Sequence, residues 1–377
     1  MPSFDETSAS WVSAFSRGLN KWADSSKSTT TSIRGVDVEI VQLRHPVLIL
    51  SGATPGPFYH SHPHNPSEFD HLDFSMESQV RSNIATIRKI AETVSEYNCN
   101  HNEDEGGDKG EGLPFELPRQ KTTTTTTVDA ATAEKSFKGI ESPFLLNWIA
   151  NSEESKNYPC GTTNFASRLT VVQKIIPKLC EEFHMNQFTV LANYETGGNV
   201  TDRRFQLETF AMFGIEEGVV PTTKKGTPQQ HTFVQLEMKD IFDPQYFMPY
   251  VPAFAVSGGN IAIFTINASS ISSIHGASVV EWHRFEQVKA AYENMIAVLN
   301  ELGATFDDVI MIWNRVEDLD TNERAVLMTR SEMMRGFERP VAECVLEVNN
   351  TTDRIGNDAA NVPLWVELVV AALIPER

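Results

Sequence analysis

The chain has 377 residues, enough for two ordinary domains each with its own core. Fifty acidic residues against 31 basic ones leave a formal charge of −19, and basic runs stop at pairs such as Lys224-Lys225. Gripping a phosphate backbone or an anionic membrane surface needs clustered Lys and Arg, so nucleic acid and membrane are excluded as expected partners, leaving a small molecule or another protein.

The first residues, MPSFDETSASWVSAFSRGLNKWAD, have neither the basic start nor the apolar core of a signal peptide, and no run approaches the ~18 apolar residues of a membrane span. Trp11, Phe15, Leu19 and Trp22 recur at helical spacing, which predicts an amphipathic helix packed on the body within residues 1–35. Strand patterns follow at 36–41 and 47–50. The stretch HSHPHNPSEFDH then places His60, His62 and His64 on one side of an extended chain, with Asp70 and His71 behind them. Pro63 and Pro66 break it, and no second ligand-bearing element accompanies it, so it reads as a loop and no metal is expected.

Helical spacing returns across 76–94. Residues 97–140 differ from everything around them: YNCNHNEDEGGDKGEG is acidic and glycine-rich, and KTTTTTTVDAATAEK is low in complexity. Such composition buries too little apolar surface to offset its ordering entropy, which predicts a disordered insertion or long surface loop. Beyond it the patterns predict a helix over 166–183, a strand at 187–192, a helix near 201–213 and a strand at 232–237. The four cysteines, Cys99, Cys160, Cys180 and Cys344, lack C-x-x-C spacing and read as reduced thiols of a cytoplasmic protein.

The last third is the most regular. Strands at 253–256 and 261–266, joined by the turn-like SGGN, lead through NASSISSIHGAS to a helix opened by the capping box Ser278-Val-Val-Glu281. Phe285, Val288, Tyr292, Met295, Leu299 and Leu302 give that helix its apolar stripe, and Gly303 stops it. DDVIMIW predicts a strand, Asp320-Thr-Asn-Glu323 a second helix start, and 342–348 and 364–373 the final strands. A looser version of the same order runs through the first half, as expected of duplicated domains. There is no glycine-rich phosphate loop, neither G-x-G-x-x-G nor G-x-x-x-x-G-K-[ST], and no cofactor is implied.

Within LWVELVVAALIP, alternation puts Leu364, Val366, Leu368 and Val370 on one face and Trp365, Glu367, Val369, Ala371 and Leu373 on the other. Both faces are apolar, so the strand is expected to be central, and Glu367 is an acid inside it. Burying an unpaired carboxylate favours its protonated form and makes a general acid. The structural alternative is a carboxylate facing a solvent crevice or paired with an arginine. His275, beside Gly276 ahead of the long helix, is a candidate general base or donor at an anion-attracting helix start, or else a solvated loop histidine. Cys344 reads as pocket wall rather than nucleophile. Arg339 and Arg315 could each clamp an anion or make a surface salt bridge. Trp313, Trp365 and Phe264 could line an aromatic-friendly cleft or be plain core.

The segments FEQVKAAYENMIAVLNELGATFDDVIMIWNRVEDLD, RPVAECVLEV and LWVELVVAALIP resemble the reactive intermediate deaminase (Rid, YjgF-like) superfamily, with Gly303 to Val309 matching its turn into a strand. The resemblance covers about 252–377. NVTDRRFQLETFAMFG, VPTTKKG, DIFDPQYFMPYVPAFAV and INASSISSIHGAS, in that order, resemble the tandem chorismatase-like branch, in which a degenerate first domain precedes a better-formed second one.

The resemblance implies an α+β fold of two chorismate-mutase-like domains in tandem, each a mixed sheet packed against two helices, and a homo-oligomer, a trimer by the family's habit. The expected division is 1–35, helix and linker; 36–245, the degenerate domain with its insertion; and 250–377, the domain with the site. Glu367 matches the family's late acidic residue, which positions water or delivers a proton. The family's carboxylate-binding arginine falls on Ala342, with Arg339 three residues too early, and YFMPYVPAF lacks the branch's other arginine.

Without that clamp the site should not favour an amino-acid imine or chorismate. The expected function is therefore cofactor-independent acid–base chemistry on a neutral or weakly polar small molecule, such as a secondary metabolite, by hydrolysis, elimination, isomerisation or cyclisation. The cleft is expected at a domain or subunit interface, with Glu367 and His275 catalytic and Arg339, Cys344, Trp365, Trp313 and Phe264 binding. The alternatives are an imine or enamine deaminase with a relocated arginine, and a non-catalytic ligand-binding or assembly protein.

Overall fold

The computed structural model describes residues 8–20, 23, 28–50, 73–85, 87–88, 140–151, 160–182, 190–196, 198–199, 207–215, 231–234, 253–256, 258–271, 284–333, 342–347 and 364–375. The amino-terminal helix forms as α1 (Ser8–Leu19), and its stripe of Val12, Phe15 and Leu19 is fully or nearly buried. Next come β1 (Thr29–Ile33), β2 (Val36–Leu43) and β3 (Val47–Leu50), then a helix α2, described over residues 76–85 and 87–88. The first half continues through β4 (Ile140–Asn151), α3 (Phe165–Glu182), β5 (Val190–Thr196), β6 (Gly198–Asn199), β7 (Leu207–Ile215) and β8 (His231–Val234).

The last third is β9 (Ala253–Val256), β10 (Gly259–Asn267), α4 (Arg284–Leu302), β11 (Val309–Val316), α5 (Leu319–Met333), β12 (Ala342–Glu347) and β13 (Val366–Ile374). This is the predicted order. Helix α4 ends where the sequence places its stop: Gly303 has φ +79°, and the Ala304 N–H donates to the Leu299 carbonyl at 2.9 Å. A Cβ at Gly303 would come within 3.3 Å of Pro375, so both backbone conformation and space favour glycine.

Two helix expectations need correction. The segment read as a helix near 201–213 is strand β7 from Leu207 onward, paired on both sides. Its Ala211, Met212 and Phe213 are all fully buried, the signature of a strand covered on both faces, which local periodicity confuses with a buried helix. Helix α5 begins at Leu319, one residue ahead of the expected cap Asp320; Asp318 precedes it at φ +50° and its carbonyl accepts the Asn322 N–H. The capping box at 278–281, the histidine stretch at 60–71 and nearly all of the 97–140 segment lie outside the described residues.

Among the described residues the strands form two mixed sheets, of order β1-β2-β10-β13-β11-β12-β6 and β5-β4-β7-β3-β9-β8. Both follow one plan: a last strand (β13, β7) lies antiparallel between two neighbours, and the inner of these pairs in parallel with the next (β11 with β12, β4 with β5). Strands are exchanged between the two parts of the chain: β1, β2 and, beside β12 at the far edge, β6 join the sheet of β10 to β13, while β9 joins, between β3 and β8, the sheet of β3, β4, β5 and β7.

The segment SGGN is thus a crossing point between the sheets and not a hairpin turn. β9 ends at Val256 in one sheet, Gly258 and Gly259 take φ +135° and +106°, and β10 continues in the other. Arg44 to Pro46 make the same passage between β2 and β3.

One face of the seven-stranded sheet packs on α4, in a core of Val38, Phe264, Tyr292, Met295, Leu299, Ile312, Leu368 and Val370. The opposite face joins α1 and the second sheet in a core of Phe15, Leu19, Ile49, Met212, Val256, Trp313, Val369 and Ala371. β13 is buried at every position, as expected of a central strand, and its residues divide between the two cores by the predicted alternation. No helix among the described residues is long and apolar enough to cross a membrane.

Candidate functional site

Glu367 is the second residue of β13 and pairs across one neighbour with Asn267, the last residue of β10, and across the other with Arg315, the penultimate residue of β11. A cross-strand row of Asn267, Glu367 and Arg315 therefore lies where β10 and β11 end and β13 begins. Cross-strand partners share a face of the sheet, so Glu367 and Arg315 can meet. They do: an Arg315 Nη hydrogen donates to Glu367 Oε in a charge-assisted bond. Arg315 is 1% exposed and Glu367 4%.

The buried carboxylate is thus stabilised as an anion by an adjacent guanidinium. The premise of an acid held neutral by an apolar strand gives way to the alternative the sequence left open, pairing with an arginine. Arg315 itself corrects the expectation of a surface salt bridge, because β11 lies inside the sheet between β13 and β12 and is buried at all eight positions. Its signal in the sequence was a charged residue inside the apolar run VIMIWNRV, the same anomaly that marks Glu367.

Asn267 is held firmly at the other end of the row. Its Oδ1 accepts from the Ser269 N–H (2.9 Å), the Ser269 hydroxyl (2.8 Å) and the Ser270 hydroxyl (3.1 Å), and its own N–H donates to Ser270 Oγ (2.9 Å). From α4, the wholly buried Asn294 donates to the carbonyls of Asn267 (2.8 Å) and Ala268 (3.2 Å). Helix α4 thereby fixes the end of β10 beside Glu367. Nothing in the local pattern of NASSIS pointed to this residue as part of the site.

The other candidates divide. Trp313, two residues before Arg315 on β11, shares the Glu367 side of the sheet; it is 1% exposed and meets the Phe15 ring edge-on at a centroid distance of 6.0 Å. Phe264 pairs with Val370 and lies in the core on the α4 side, across the sheet from Glu367. Trp365, half-buried, is tied by its backbone: its N–H donates to Gln287 Oε1 at 3.1 Å, and its carbonyl accepts the Glu317 N–H at 3.0 Å.

Cys344 sits on β12 in register with Trp313, one strand away. Ala342, where the resemblance seeks an arginine, is in register with Met311; it lies four residues short of the Arg315 row, about 13 Å along the strand. His275 and Arg339 lie outside the described residues. Among the described residues no group of three His, Cys, Asp or Glu side chains is placed to hold a metal ion.

No known family profile and no curated protein matches the chain. Solved structures similar to part of it include the YjgF gene product from E. coli, 14% identical over 30% of this chain and 80% of that one, at a TM-score of 0.25. The protein YjgH is 18% identical over 40% of this chain and 100% of that one, also at 0.25. Yeast Mmf1 is 10% identical over 30% and 80%, again at 0.25.

Proposed function

We propose that the chain is a cofactor-independent enzyme of acid–base chemistry on a small organic molecule, with the Glu367 carboxylate taking a proton or orienting a water. The observation that carries this reading is the buried Arg315–Glu367 pair at the ends of central strands. A buried ion pair is often no more stabilising than apolar residues of the same size, so stability alone is a weak reason to place one here. A charge held in a dry setting is, by contrast, useful chemically: the carboxylate is fixed in place, ionised and poorly solvated.

In this reading Glu367 works first as a base, because carrying a proton would leave the Arg315 cation buried beside a neutral group. Arg315 is a positioning residue. His275 is proposed as the second proton-transfer group, with Trp313, Trp365, Cys344 and Arg339 proposed to contact the substrate; Phe264, across the sheet, supports the strand. The site belongs to the proposed unit 250–377, whose sheet is completed by β1, β2 and β6. Ala342 favours a neutral or weakly polar substrate, to be hydrolysed, isomerised, cyclised or split by elimination.

The test uses 5-nitrobenzisoxazole, a neutral aromatic probe of carboxylate bases. The base removes the C3 proton, the C–H electron pair completes a nitrile, the N–O bond breaks, and the ring opens to a single coloured product, 2-cyano-4-nitrophenolate. The expected result is turnover above that of acetate at the same concentration, reduced by Glu367→Gln. Wild-type turnover no faster than acetate, or undiminished turnover in a folded Glu367→Gln protein, refutes the reading.

A second reading, an imine or enamine deaminase with a relocated arginine, is favoured by Arg315 standing beside Glu367 on the neighbouring strand. Imino acids generated by an amino-acid oxidase decide between them. Hydrolysis at the uncatalysed rate supports the first reading; rates well above it, lost in Arg315→Met, support the second.

A further inference from the structure

Helix α4 carries two buried carboxamides, Gln287 and Asn294, two turns apart on one face, with Ala290 between them. That face meets the strand ends around Glu367: Ala290 packs with Ala268, just past β10, and with Leu364, just before β13. Asn294 holds the end of β10, and Gln287 Oε1 accepts the Trp365 N–H (3.1 Å) at the approach to β13. The Trp365 carbonyl accepts the Glu317 N–H (3.0 Å), which continues the β11–β13 ladder one step past its last pair, Val316 and Val366. The Glu317 carbonyl in turn accepts from Nδ2 of Asn322 (2.6 Å), a buried residue of α5. A single line of contacts thus runs from helix to strand to strand to helix, directly beyond the row in which Arg315 faces Glu367. An apolar side chain would fill the place of Gln287 equally well; what a buried carboxamide adds is a bond with a direction.

We propose that Gln287 is a positioning residue for Glu367: by holding the Trp365 main chain, it sets where β13 begins and so where the carboxylate stands relative to Arg315 and to the substrate. This rests on the proposed role of Glu367 as the base. Glu367 lies two residues beyond Trp365, about 7 Å along extended backbone, a distance over which a shift of the strand start is passed on. Gln287 acts from the α4 side of the sheet, across from the Glu367 side chain, and reaches the reaction only through the strand. Its effect therefore falls on the orientation of the reacting group and not on the grip on substrate. Misplacing a reacting group by about 1 Å can cost about 10²-fold in rate.

The experiment measures kcat and KM for 5-nitrobenzisoxazole with wild type, Gln287→Met and Gln287→Glu, each well below its own thermal transition, where lost stability leaves the folded fraction unchanged. Gln287→Met keeps the length of the side chain and removes the oxygen acceptor; Gln287→Glu keeps an acceptor oxygen. The expected result is a kcat lower by about 10–10²-fold in Gln287→Met at unchanged KM, with most of the rate recovered in Gln287→Glu. A merely structural role would lower Tm and leave kcat alone, so a folded Gln287→Met protein with the wild-type kcat overturns the proposal while the role of Glu367 stands. An equal loss in Gln287→Glu overturns it too, because the acceptor is then not what the site uses. Wild-type turnover no faster than acetate removes both this proposal and the function on which it rests. Should Gln287→Met fail to fold, Gln287→Asn withdraws the acceptor by one methylene: a lowered kcat at unchanged KM upholds the proposal, and an unchanged kcat overturns it.

Discussion

Replacing Glu367 by glutamine keeps the volume and hydrogen-bonding capacity of the side chain but removes its charge. The Arg315 guanidinium, 1% exposed, then remains charged in a strand buried at every position. Breaking a buried pair in this way costs about 3–5 kcal/mol. With about 2–4 °C of Tm lost per kcal/mol in a folding unit of 150–250 residues, the expected fall is about 6–20 °C. Arg315→Met should cost a similar amount, by removing the guanidinium that donates to the buried carboxylate.

The double variant Arg315→Met/Glu367→Leu removes both charges together, so it should be close to wild type in stability or about 1–4 kcal/mol more stable. Thermal and urea unfolding of the four proteins completes the cycle. The double variant also separates stability from chemistry, because it should fold well yet lack the Glu367 share of turnover. Two results would refute the reasoning: a Glu367→Gln protein with unchanged Tm, or a double variant as unstable as the sum of the single losses.

Other expected outcomes follow from single contacts. Phe15→Ala removes the ring that joins α1 to Trp313, and should destabilise by about 3–5 kcal/mol, read by thermal unfolding. Asn294→Ala leaves the carbonyls of Asn267 and Ala268 without their donor and should cost about 1–3 kcal/mol, with turnover at the Glu367 site falling in parallel because the end of β10 loosens. Asp73, whose carboxylate accepts from the Ser78 hydroxyl, the Ser75 N–H and the Ser75 hydroxyl, is held below its ordinary value of 3.8. Its contribution to the start of α2 is therefore complete above that value and lost as pH falls through the lower folded one; Asp73→Asn should abolish that part of the acid dependence, measured by NMR titration and by unfolding at pH 2–5.

The sequence by itself determined what depends on neighbours along the chain. The spacing of Val288, Tyr292, Met295, Leu299 and Leu302 with Gly303 behind them specifies α4 and its end, and the alternation through 364–373 specifies a strand with two buried faces. The same is true of Phe15 and Leu19 in α1. Local pattern could also mark Glu367 and Arg315 as charges out of place in apolar runs.

Tertiary structure decided everything that rests on register between distant segments. Arg315 and Glu367 are 52 residues apart, and only the β11–β13 pairing sets them opposite each other. The same pairing rules put Trp313 on the Glu367 side and Phe264 on the other, since a shift of one residue reverses every side chain of a strand. β7 was misread for a related reason: a strand covered on both faces shows no alternation, and what covers it is chosen by distant parts of the chain. The exchange of strands between the sheets is likewise a property of long-range hydrogen-bond pairing, to which no window of sequence gives access.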